Sequence, residues 1–207
     1  MDKRIAFFDF DGTITRTDTL LEFIRFSQGW PNFCFGFLLT SPWILAYKLK
    51  LISNQRAKEK VLAFFFKNYP ISRFQQQCDR FSADVLPGLI RPKALQEIER
   101  LKEKGVSVVI VSASPENWIR EWAGQVPAAL IATLLETKSP SVREQPAGEP
   151  RLTGKIEGVN CYGSEKVRRI REAYALADYA EILTYGDSSG DKPMLRLGTV
   201  SFFKPFR

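Results

Sequence analysis

Histidine is absent from this chain of 207 residues. Its absence excludes a serine–histidine–aspartate triad, histidine-ligated zinc and imidazole as a general base. Acid–base chemistry would have to come from carboxylates, lysine, tyrosine or cysteine. Cysteine is scarce, because Cys34, Cys78 and Cys161 are odd in number, far apart and without a CxxC pair. A disulfide framework or a thiolate zinc site is therefore not expected, and the three thiols are expected to be buried in a reducing compartment.

The sequence also lacks an apolar run long enough to span a membrane. Residues 26–47 carry no charge, but little more than half of them are apolar, and two glycines and two prolines interrupt them. A spanning helix needs roughly 20 mostly apolar residues. Two interpretations stay open. One is a buried pair of helices, and the other is a peripheral membrane contact through residues 26–50, with Lys48 and Lys50 reaching the headgroups of a surface that supplies a lipid phosphate.

Acidic residues are outnumbered, and the net charge is +7. A basic surface attracts nucleic acid, anionic lipid headgroups or small phosphate esters, although it can also serve solubility alone. The sequence shows no recognisable nucleic-acid module, so no nucleic acid is expected. The expected partner is a phosphorylated small molecule or a lipid headgroup. The first residues show no signal-peptide pattern, which predicts a cytoplasmic location, with the inner face of the membrane as the alternative.

Apolar segments of strand type alternate with segments of helical type along most of the chain. Strands are predicted at 4–8, 106–111, 129–134, 181–185 and 198–203, and helices at 92–104, 116–122, 164–176 and 192–197. This alternation predicts an α/β fold whose parallel sheet is covered on both faces. Ligands in such sheets bind beyond the carboxyl ends of the strands.

Residues 18–85 interrupt the alternation with successive helical segments and no strand-like run. We predict that they form an inserted helical cap, and that residues 1–17 and 86–207 form the core domain. Residues 138–150 are rich in proline, serine and charge. They are predicted to form an exposed loop, as the tip of a hairpin with arms at 134–136 and 151–153.

The segment Asp9-Phe10-Asp11-Gly12-Thr13 follows the first apolar strand directly. Residues two apart in an extended segment point the same way, so Asp9 and Asp11 can face one site. Two neighbouring carboxylates repel unless a cation lies beside them, and Mg²⁺ with oxygen ligands meets that need. Gly12 allows a sharp backbone turn. The alternative is a surface turn with an acidic neighbour.

A second acidic cluster, which contains Asp187, Ser188 and Asp191, follows the strand at 181–185. It supplies carboxylates at the same edge of the predicted sheet, and it can also cap the following helix. Ser112, Ala113 and Ser114 follow directly after the predicted strand at 106–111. A hydroxyl and free N–H groups before a helix can hold phosphate, although a plain helix N-cap at Ser114 fits as well.

A lysine completes the set of polar residues. Lys166 opens a basic helix with Arg168, Arg169 and Arg171. A lysine near a bound phosphate would offset its charge and that of a carboxylate nucleophile. Taken alone, Lys166 reads more simply as one more solvated charge on a basic helix face.

Together these elements resemble the haloacid dehalogenase-like (HAD) superfamily. Its pattern is a strand ending in DxDGT, a later strand ending in Ser or Thr, a lysine, and a strand ending in a GDxxxD element. The resemblance spans residues 4–205 and is to subfamily IB, the phosphoserine phosphatase-like group. Segments 112–115 and 163–167, the apolar cap segment and the early end after the last strand point to its phosphatidylglycerophosphatase C-like branch.

The resemblance implies a Rossmann-like core with an all-helical C1-type cap and a Mg²⁺-dependent phosphatase. Asp9 would attack phosphorus to form an aspartyl-phosphate, and Asp11 would protonate the leaving oxygen and then activate water. The resemblance also implies that the Asp9 carboxylate, the Asp11 carbonyl and Asp187 bind Mg²⁺. Lys166 would neutralise charge, and Asp191 would position Lys166 or metal-bound water.

The resemblance further implies that Ser112 and the Ala113 N–H hold phosphate oxygens, next to Ser114 as a further substrate contact. Gly12, Thr13 and Ser188 would support the site. Phosphoserine phosphatases carry a glutamate seven residues after the second motif aspartate, where this chain has the shorter Asp18. That difference weakens the case for phosphoserine, and Asp18 can also cap the first cap helix.

The family's cap arginine has two candidates here, Arg56 and Lys60, and Arg56 is taken as substrate-binding together with Asp18. The expected function is therefore hydrolysis of a small or lipid phosphate monoester. Phosphoserine phosphatase-like activity is one alternative. A catalytically inactive relative that binds a phosphorylated ligand or a membrane is another, and the intact set of Asp9, Asp11, Lys166 and Asp187 argues against it.

Overall fold

A parallel sheet of five strands forms the centre of the computed structural model, which describes residues 3–139 and 148–207. The described residues form seven strands in all: β1 (Arg4–Phe8), β2 (Ser107–Pro115), β3 (Ala129–Thr133), β4 (Leu135–Lys138), β5 (Arg151–Ile156), β6 (Glu181–Gly186) and β7 (Val200–Phe203). Their order in the main sheet is β3-β2-β1-β6-β7, and β4 pairs with β5 as a separate antiparallel hairpin. The predicted α/β fold is confirmed.

Helices occupy most of the chain between the strands. They are α1 (Thr19–Gln28), α2 (Trp30–Lys48), α3 (Asn54–Phe66), α4 (Ile71–Asp84), α5 (Leu86–Leu89), α6 (Pro92–Glu103), α7 (Arg120–Gln125), α8 (Ser164–Ala173) and α9 (Lys192–Leu195). The helix predicted over 116–122 is divided into a single turn at Glu116–Trp118 and the helix α7. The strand predicted at 106–111 runs on to Pro115, so Ser112 and Ser114 lie within β2.

Alternate residues of β1 enter two different cores. Ile5 and Phe7 pack with Ile170 of α8 on one face of the sheet. Ala6 and Phe8 pack into the larger cluster on the other face. A central parallel strand that is buried on both faces reads as a continuous apolar run, which is why residues 4–8 are recognisable in the sequence.

Helices α1 to α4 all lie between β1 and β2, where the sequence predicts an inserted cap. Aromatic side chains form the interior of this cap: Phe23 of α1 contacts Phe66, Phe74 and Phe81. Phe23 also stacks on Trp118, which follows β2, so the cap interior continues into the core domain. The domain boundaries at 17/18 and 85/86 remain a prediction.

The β4–β5 hairpin packs against helix α3 of the cap. Gly154 of β5 has φ +80°, and a Cβ placed on it would lie 2.4 Å from Ala63 Cα. The predicted hairpin is present as β4 and β5, and it packs against a cap segment whose described elements are helical. Part of the predicted loop at its tip, residues 140–147, lies outside the described residues.

Residues 30–48 form one helix, and most of its apolar side chains face solvent. Gly36 and Thr40 are buried, and a Cβ on Gly36 would lie 2.2 Å from the Phe65 ring of α3. On the opposite face Phe35 and Leu38 are 61% and 70% exposed. The interpretation as a buried helix pair is therefore wrong for the outer face of this helix, although Phe33 and Ile44 pack against the core. None of the helices formed by the described residues has both the length and the apolarity needed to traverse a bilayer.

The cysteines are divided between interior and surface. Cys78 and Cys161 are buried, as predicted, whereas Cys34 is exposed on α2. The expectation of three buried thiols is wrong for Cys34, because its helix contacts the rest of the protein along one face only.

Candidate active site

A buried lysine joins two carboxylates at the carboxyl ends of β1 and β6. Lys166, in the first turn of α8, donates from Nζ to Asp9 Oδ1 at 2.6 Å and to Asp191 Oδ1 at 2.8 Å. All three residues are buried, and Lys166 is only 1% exposed. The sheet positions the pair, since the Asp9 N–H donates to the Tyr185 carbonyl of β6 at 2.9 Å.

The charges of these three residues control one another. Burial raises the pKa of Asp9 to about 7, although Lys166 opposes the shift. Burial would also raise the pKa of Asp191, but Lys166 and hydrogen bonds from Ser188 hold it below the usual value. Burial alone would lower the pKa of Lys166, and the two carboxylates raise it above its usual value instead. Lys166 is therefore a permanent cation at the Asp9 carboxylate.

Three carboxylates offer oxygens that could hold a cation. One oxygen from each of Asp9, Asp187 and Asp191 lies within 4.8 Å of the others. A Cβ on Gly12, which has φ +81°, would lie 2.5 Å from Asp187 Oδ2, so the backbone turn after Asp9 closes directly over Asp187. Arg207 pairs with Asp187 at the rim. An all-oxygen donor set of this charge fits a hard divalent cation such as Mg²⁺.

Asp191 differs from the other two carboxylates because its oxygens are already engaged. Oδ1 accepts from Lys166, and Oδ2 accepts from the Ser188 N–H at 2.9 Å and the Ser188 hydroxyl at 2.7 Å. The Asp187 N–H donates to the same Oδ2 at 3.2 Å. Asp191 therefore positions Lys166 and the turn that carries Asp187. Burial raises the pKa of Asp187, and Asp191 adds to the shift.

The Asp11 carboxylate accepts hydrogen bonds from the start of α1 and from the end of β2. Its Oδ1 accepts from the N–H and the hydroxyl of Thr19, at 2.7 and 2.6 Å, and its Oδ2 accepts from the Ser114 hydroxyl at 2.6 Å. Trp118 Nε1 donates to the Thr19 hydroxyl at 3.0 Å and orients it. Asp11 is thus held between the start of α1 and the end of β2.

The residues at the end of β2 have separate positions. Ser112 is fully buried, and its Oγ accepts from the Ser114 N–H at 3.0 Å. Ala113 and Ser114 line the site cavity. Thr13 is also buried, and its hydroxyl makes no hydrogen bond within the described part of the chain. Ser112 therefore supports the strand end, while its two neighbours face the space next to Asp9.

A cavity of about 200 Å³ brings most of the predicted residues together. Its lining comprises Asp9, Asp11, Asp18, Asn54, Lys58, Ala113, Ser114, Tyr162, Lys166, Ser188 and Asp191. The side chain of Asp18 also caps α1, where Oδ1 accepts from the Leu20 N–H at 2.9 Å. Four predicted residues of the core domain are not part of this lining: Ser112, Asp187, Gly12 and Thr13. The cavity is large enough for a phosphate group and its immediate ester.

The cap cation that reaches the cavity is Lys58. Its Nζ donates to the Ala113 carbonyl at 3.0 Å. Desolvation lowers the pKa of Lys58, and the carboxylates of Asp18 and Asp11 oppose that shift. Arg56 is exposed and lines a different cavity next to Trp43 and Lys60. The structure therefore places neither Arg56 nor Lys60 beside Asp9.

Sequence reasoning did not single out Asn54, Lys58 or Tyr162. Asn54 and Lys58 are four residues apart on α3 and so share one helix face, whereas Arg56 points to the other side. The capping serine Ser53, which accepts from the Arg56 N–H at 3.2 Å, marks the start of α3. The start of α3 and the helical spacing of its apolar residues could together have indicated that Lys58 faces the site and Arg56 does not.

Comparison with protein families gives a match over nearly the whole chain. Residues 6–196 match the model of the family described as haloacid dehalogenase-like hydrolase. Protein CicA of Caulobacter vibrioides is 31% identical over 202 residues, which is 97% of this chain and 85% of that protein.

Solved structures share the fold at lower sequence identity. A protein of unknown function from Bordetella pertussis Tohama I superposes with a TM-score of 0.81 at 22% identity, covering 97% of this chain and 89% of the other. A phospho-aspartyl intermediate analogue of phosphoserine phosphatase gives a TM-score of 0.67 at 16% identity, covering 97% and 86%. At these identities the likeness establishes the common fold.

Proposed function

Because this chain belongs to the haloacid dehalogenase-like hydrolases, we propose that it is a Mg²⁺-dependent phosphomonoester hydrolase with Asp9 as nucleophile. The observation that carries the proposal is the position of the Asp9 carboxylate. It lies at the floor of a phosphate-sized cavity, 2.6 Å from a buried lysine and beside two further carboxylates. Phosphoryl transfer relies on positioning and on neutralising the charge of the phosphoryl group, and a fixed lysine together with a cation held by the carboxylates would supply that charge.

In the first step, an Asp9 oxygen bonds to phosphorus while the bond from phosphorus to the ester oxygen breaks. Asp11, which lines the same cavity, gives its proton to the leaving oxygen. In the second step Asp11 takes a proton from water, whose oxygen attacks phosphorus and releases phosphate and free Asp9. The structure neighbour described as a phospho-aspartyl intermediate analogue supports the covalent intermediate by analogy.

Charge neutralisation is divided among residues on three elements. Lys166 of α8 stays cationic beside Asp9, and Asp191 holds it there at 2.8 Å.

Asp9 and Asp187 would hold Mg²⁺, with the Asp11 carbonyl as the third ligand that the family resemblance implies. When bound, the cation offsets the negative charge of the phosphoryl group during transfer. Ser114 and the Ala113 N–H line the space in which phosphate oxygens would lie.

Lys58 takes the place of Arg56 as the proposed substrate contact from the cap. It lies between Asp18 and the Ala113 carbonyl, on the cap side of the cavity, where the ester group of a substrate would be. A cation there suits a substrate with a second anionic group. Phosphoserine provides one in its carboxylate, and a lipid phosphate provides one when its headgroup also contains a phosphodiester, so both a small and a lipid phosphate monoester fit the site.

The test is Asp9→Asn, assayed with p-nitrophenyl phosphate and Mg²⁺. The variant keeps the size of the side chain but loses the nucleophile, so we expect kcat to fall by roughly 10³-fold or more. Circular dichroism would show that the fold is retained. A mass increase on the wild-type chain after acid quenching, absent from Asp9→Asn, would identify the aspartyl-phosphate. Wild-type-like turnover by the variant would disprove the proposal.

A further inference from the structure

Helix α2 exposes a continuous apolar stripe. Residues spaced three or four apart lie on one face of a helix. On α2 these are Pro31, Phe35, Leu38, Pro42 and Leu45, all of which are exposed. Phe35, Leu38 and Leu45 are 61%, 70% and 57% exposed. A contiguous apolar surface of this kind normally marks an interaction site.

Basic residues accompany the stripe. From residue 23 to residue 58 the chain contains no aspartate or glutamate. Arg25 pairs with Glu22, and Lys58 faces the active-site cavity, so the remaining exposed cations of this segment are Lys48, Lys50 and Arg56. The exposed Lys48 lies in the last turn of α2, and the exposed Lys50 follows it. The surface around the stripe is therefore positive, which favours an anionic partner.

Tryptophans lie at two positions along the exposed helix. Trp30 begins α2 and is 61% exposed, and Trp43 is 42% exposed with Lys60 Nζ 4.6 Å above its ring. Tryptophan side chains are enriched where apolar and polar regions of a membrane meet. A helix that lies in the plane of a membrane interface has these features: an apolar stripe, flanking tryptophans and adjacent lysines.

The end of α2 also adjoins the active site. A cavity of about 700 Å³ is lined by Tyr47, Lys48 and Lys50 at this end, and it shares Asn54 and Tyr162 with the active-site cavity. The hydroxyls of Tyr47 and Tyr162 are 3.5 Å apart. A surface that covers the stripe would therefore lie beside a cavity that shares two lining residues with the cavity of Asp9.

We propose that the stripe of α2 docks this protein on an anionic lipid bilayer, with the helix parallel to the membrane surface. A second copy of the chain is the competing occupant, but two positively charged surfaces would repel each other. Docking itself does not depend on catalysis. Its consequence, that the substrate is a phosphate monoester held in the membrane, rests on the proposed function.

Vesicle sedimentation tests the proposal with two lipid compositions. We expect the wild-type chain to pellet with vesicles of equal parts phosphatidylglycerol and phosphatidylcholine, and far less with phosphatidylcholine alone. Phe35→Ser should lower the partition coefficient roughly tenfold, as expected when about 1.4 kcal/mol of apolar burial is lost. The double variant Lys48→Gln/Lys50→Gln should lower the partition coefficient on anionic vesicles roughly fivefold for each lysine removed. It should leave binding to phosphatidylcholine vesicles unchanged.

Phe203→Ser is the matched control, because Phe203 lies on β7 with a similar exposure of 53%. It should bind vesicles as the wild type does. The proposal would be overturned if Phe35→Ser and Phe203→Ser lost vesicle binding equally. It would also be overturned if the wild-type chain bound both vesicle types equally or did not pellet at all. So would a dimer in sedimentation velocity that Phe35→Ser dissociates, since the stripe would then join two copies.

The Asp9→Asn variant separates this proposal from the proposed function. It should bind anionic vesicles as tightly as the wild type, so a failed phosphatase assay would leave the docking result intact. Conversely, Phe35→Ser should hydrolyse p-nitrophenyl phosphate at the wild-type rate, because Phe35 is not part of the active-site cavity.

Discussion

At the scale of single residues, the site depends on carboxylates kept close together in the interior. Lys166 is the residue that makes this arrangement stable, since its Nζ lies within 2.8 Å of both Asp9 and Asp191. Removing one partner of a buried charge group leaves the others without compensation, at a cost of roughly 3–5 kcal/mol. The lysine is therefore both a structural and a chemical component of the site.

Gly12 provides the sharpest test at this scale. Gly12→Ala should cost about 1–2 kcal/mol of unfolding free energy, because alanine is strained at φ +81°. It should also raise the Mg²⁺ concentration needed for activity, because the new Cβ would displace Asp187. Gly105→Ala is the control, since its φ is +68° and nothing lies within 4 Å of the added Cβ.

Urea unfolding and Mg²⁺ titration of p-nitrophenyl phosphate hydrolysis would measure the two effects separately. Gly105→Ala should show a similar loss of stability and an unchanged Mg²⁺ dependence. If Gly12→Ala also kept the wild-type Mg²⁺ dependence, Asp187 would not be a metal ligand.

At the scale of elements, the rotation of α3 decides which cap cation faces the active-site cavity. Lys58 and Asn54 face the active-site cavity, whereas Arg56 faces Trp43 and Lys60. The Ser53 cap and the close contact of Ala63 with Gly154 hold the helix in this rotation. The choice of cation is therefore a property of the packing of α3 against the hairpin.

Lys58→Met and Arg56→Met form a matched pair on α3. Losing a charged hydrogen bond to substrate typically costs 1.5–3 kcal/mol, so Lys58→Met should lower kcat/KM by about 10- to 100-fold on the physiological substrate. Arg56→Met should leave kcat/KM nearly unchanged. Steady-state kinetics on phosphoserine and on a lipid phosphate would measure both, and the opposite ranking would assign the substrate contact to Arg56.

At the scale of the whole molecule, the carboxylate cluster links metal binding to stability and to pH. Mg²⁺ that binds only the folded state stabilises it. Protons compete for Asp9, whose pKa is raised to about 7 in the metal-free protein. The increase in Tm on adding Mg²⁺ should therefore be largest above pH 7 and shrink as the pH falls below that value.

Differential scanning calorimetry with Mg²⁺ or EDTA across this pH range would measure the increase. Asp187→Asn should abolish most of it. Asp178→Asn, at an exposed position away from the cavity, should preserve it. An Mg²⁺ effect independent of pH, or one that survives in Asp187→Asn, would contradict the proposed ligand set.

The sequence alone predicted the central sheet and the strand ends that carry polar residues. Buried parallel strands need continuous apolar runs, so residues 4–8 and 181–185 are recognisable without a structure. Since parallel strands end at one edge, Asp9, Asp187 and Asp191 were expected to meet, and they lie together in the structure. Local sequence is sufficient here because strand direction and side-chain alternation follow from the backbone.

Only the tertiary structure decided the features that depend on how one helix is rotated against another. The sequence offers several cations on α3, and packing selects Lys58. It places Asp11 beside Asp9, but hydrogen bonds from Thr19 and Ser114 hold the Asp11 carboxylate between α1 and β2. Residues 26–47 carry no charge, and their apolar side chains lie on several sides of the helix, so their pattern indicates no buried face. Contact with α3 covers the side of α2 that carries Gly36 and leaves the other exposed, because only the packing of neighbouring helices determines which face of α2 is covered.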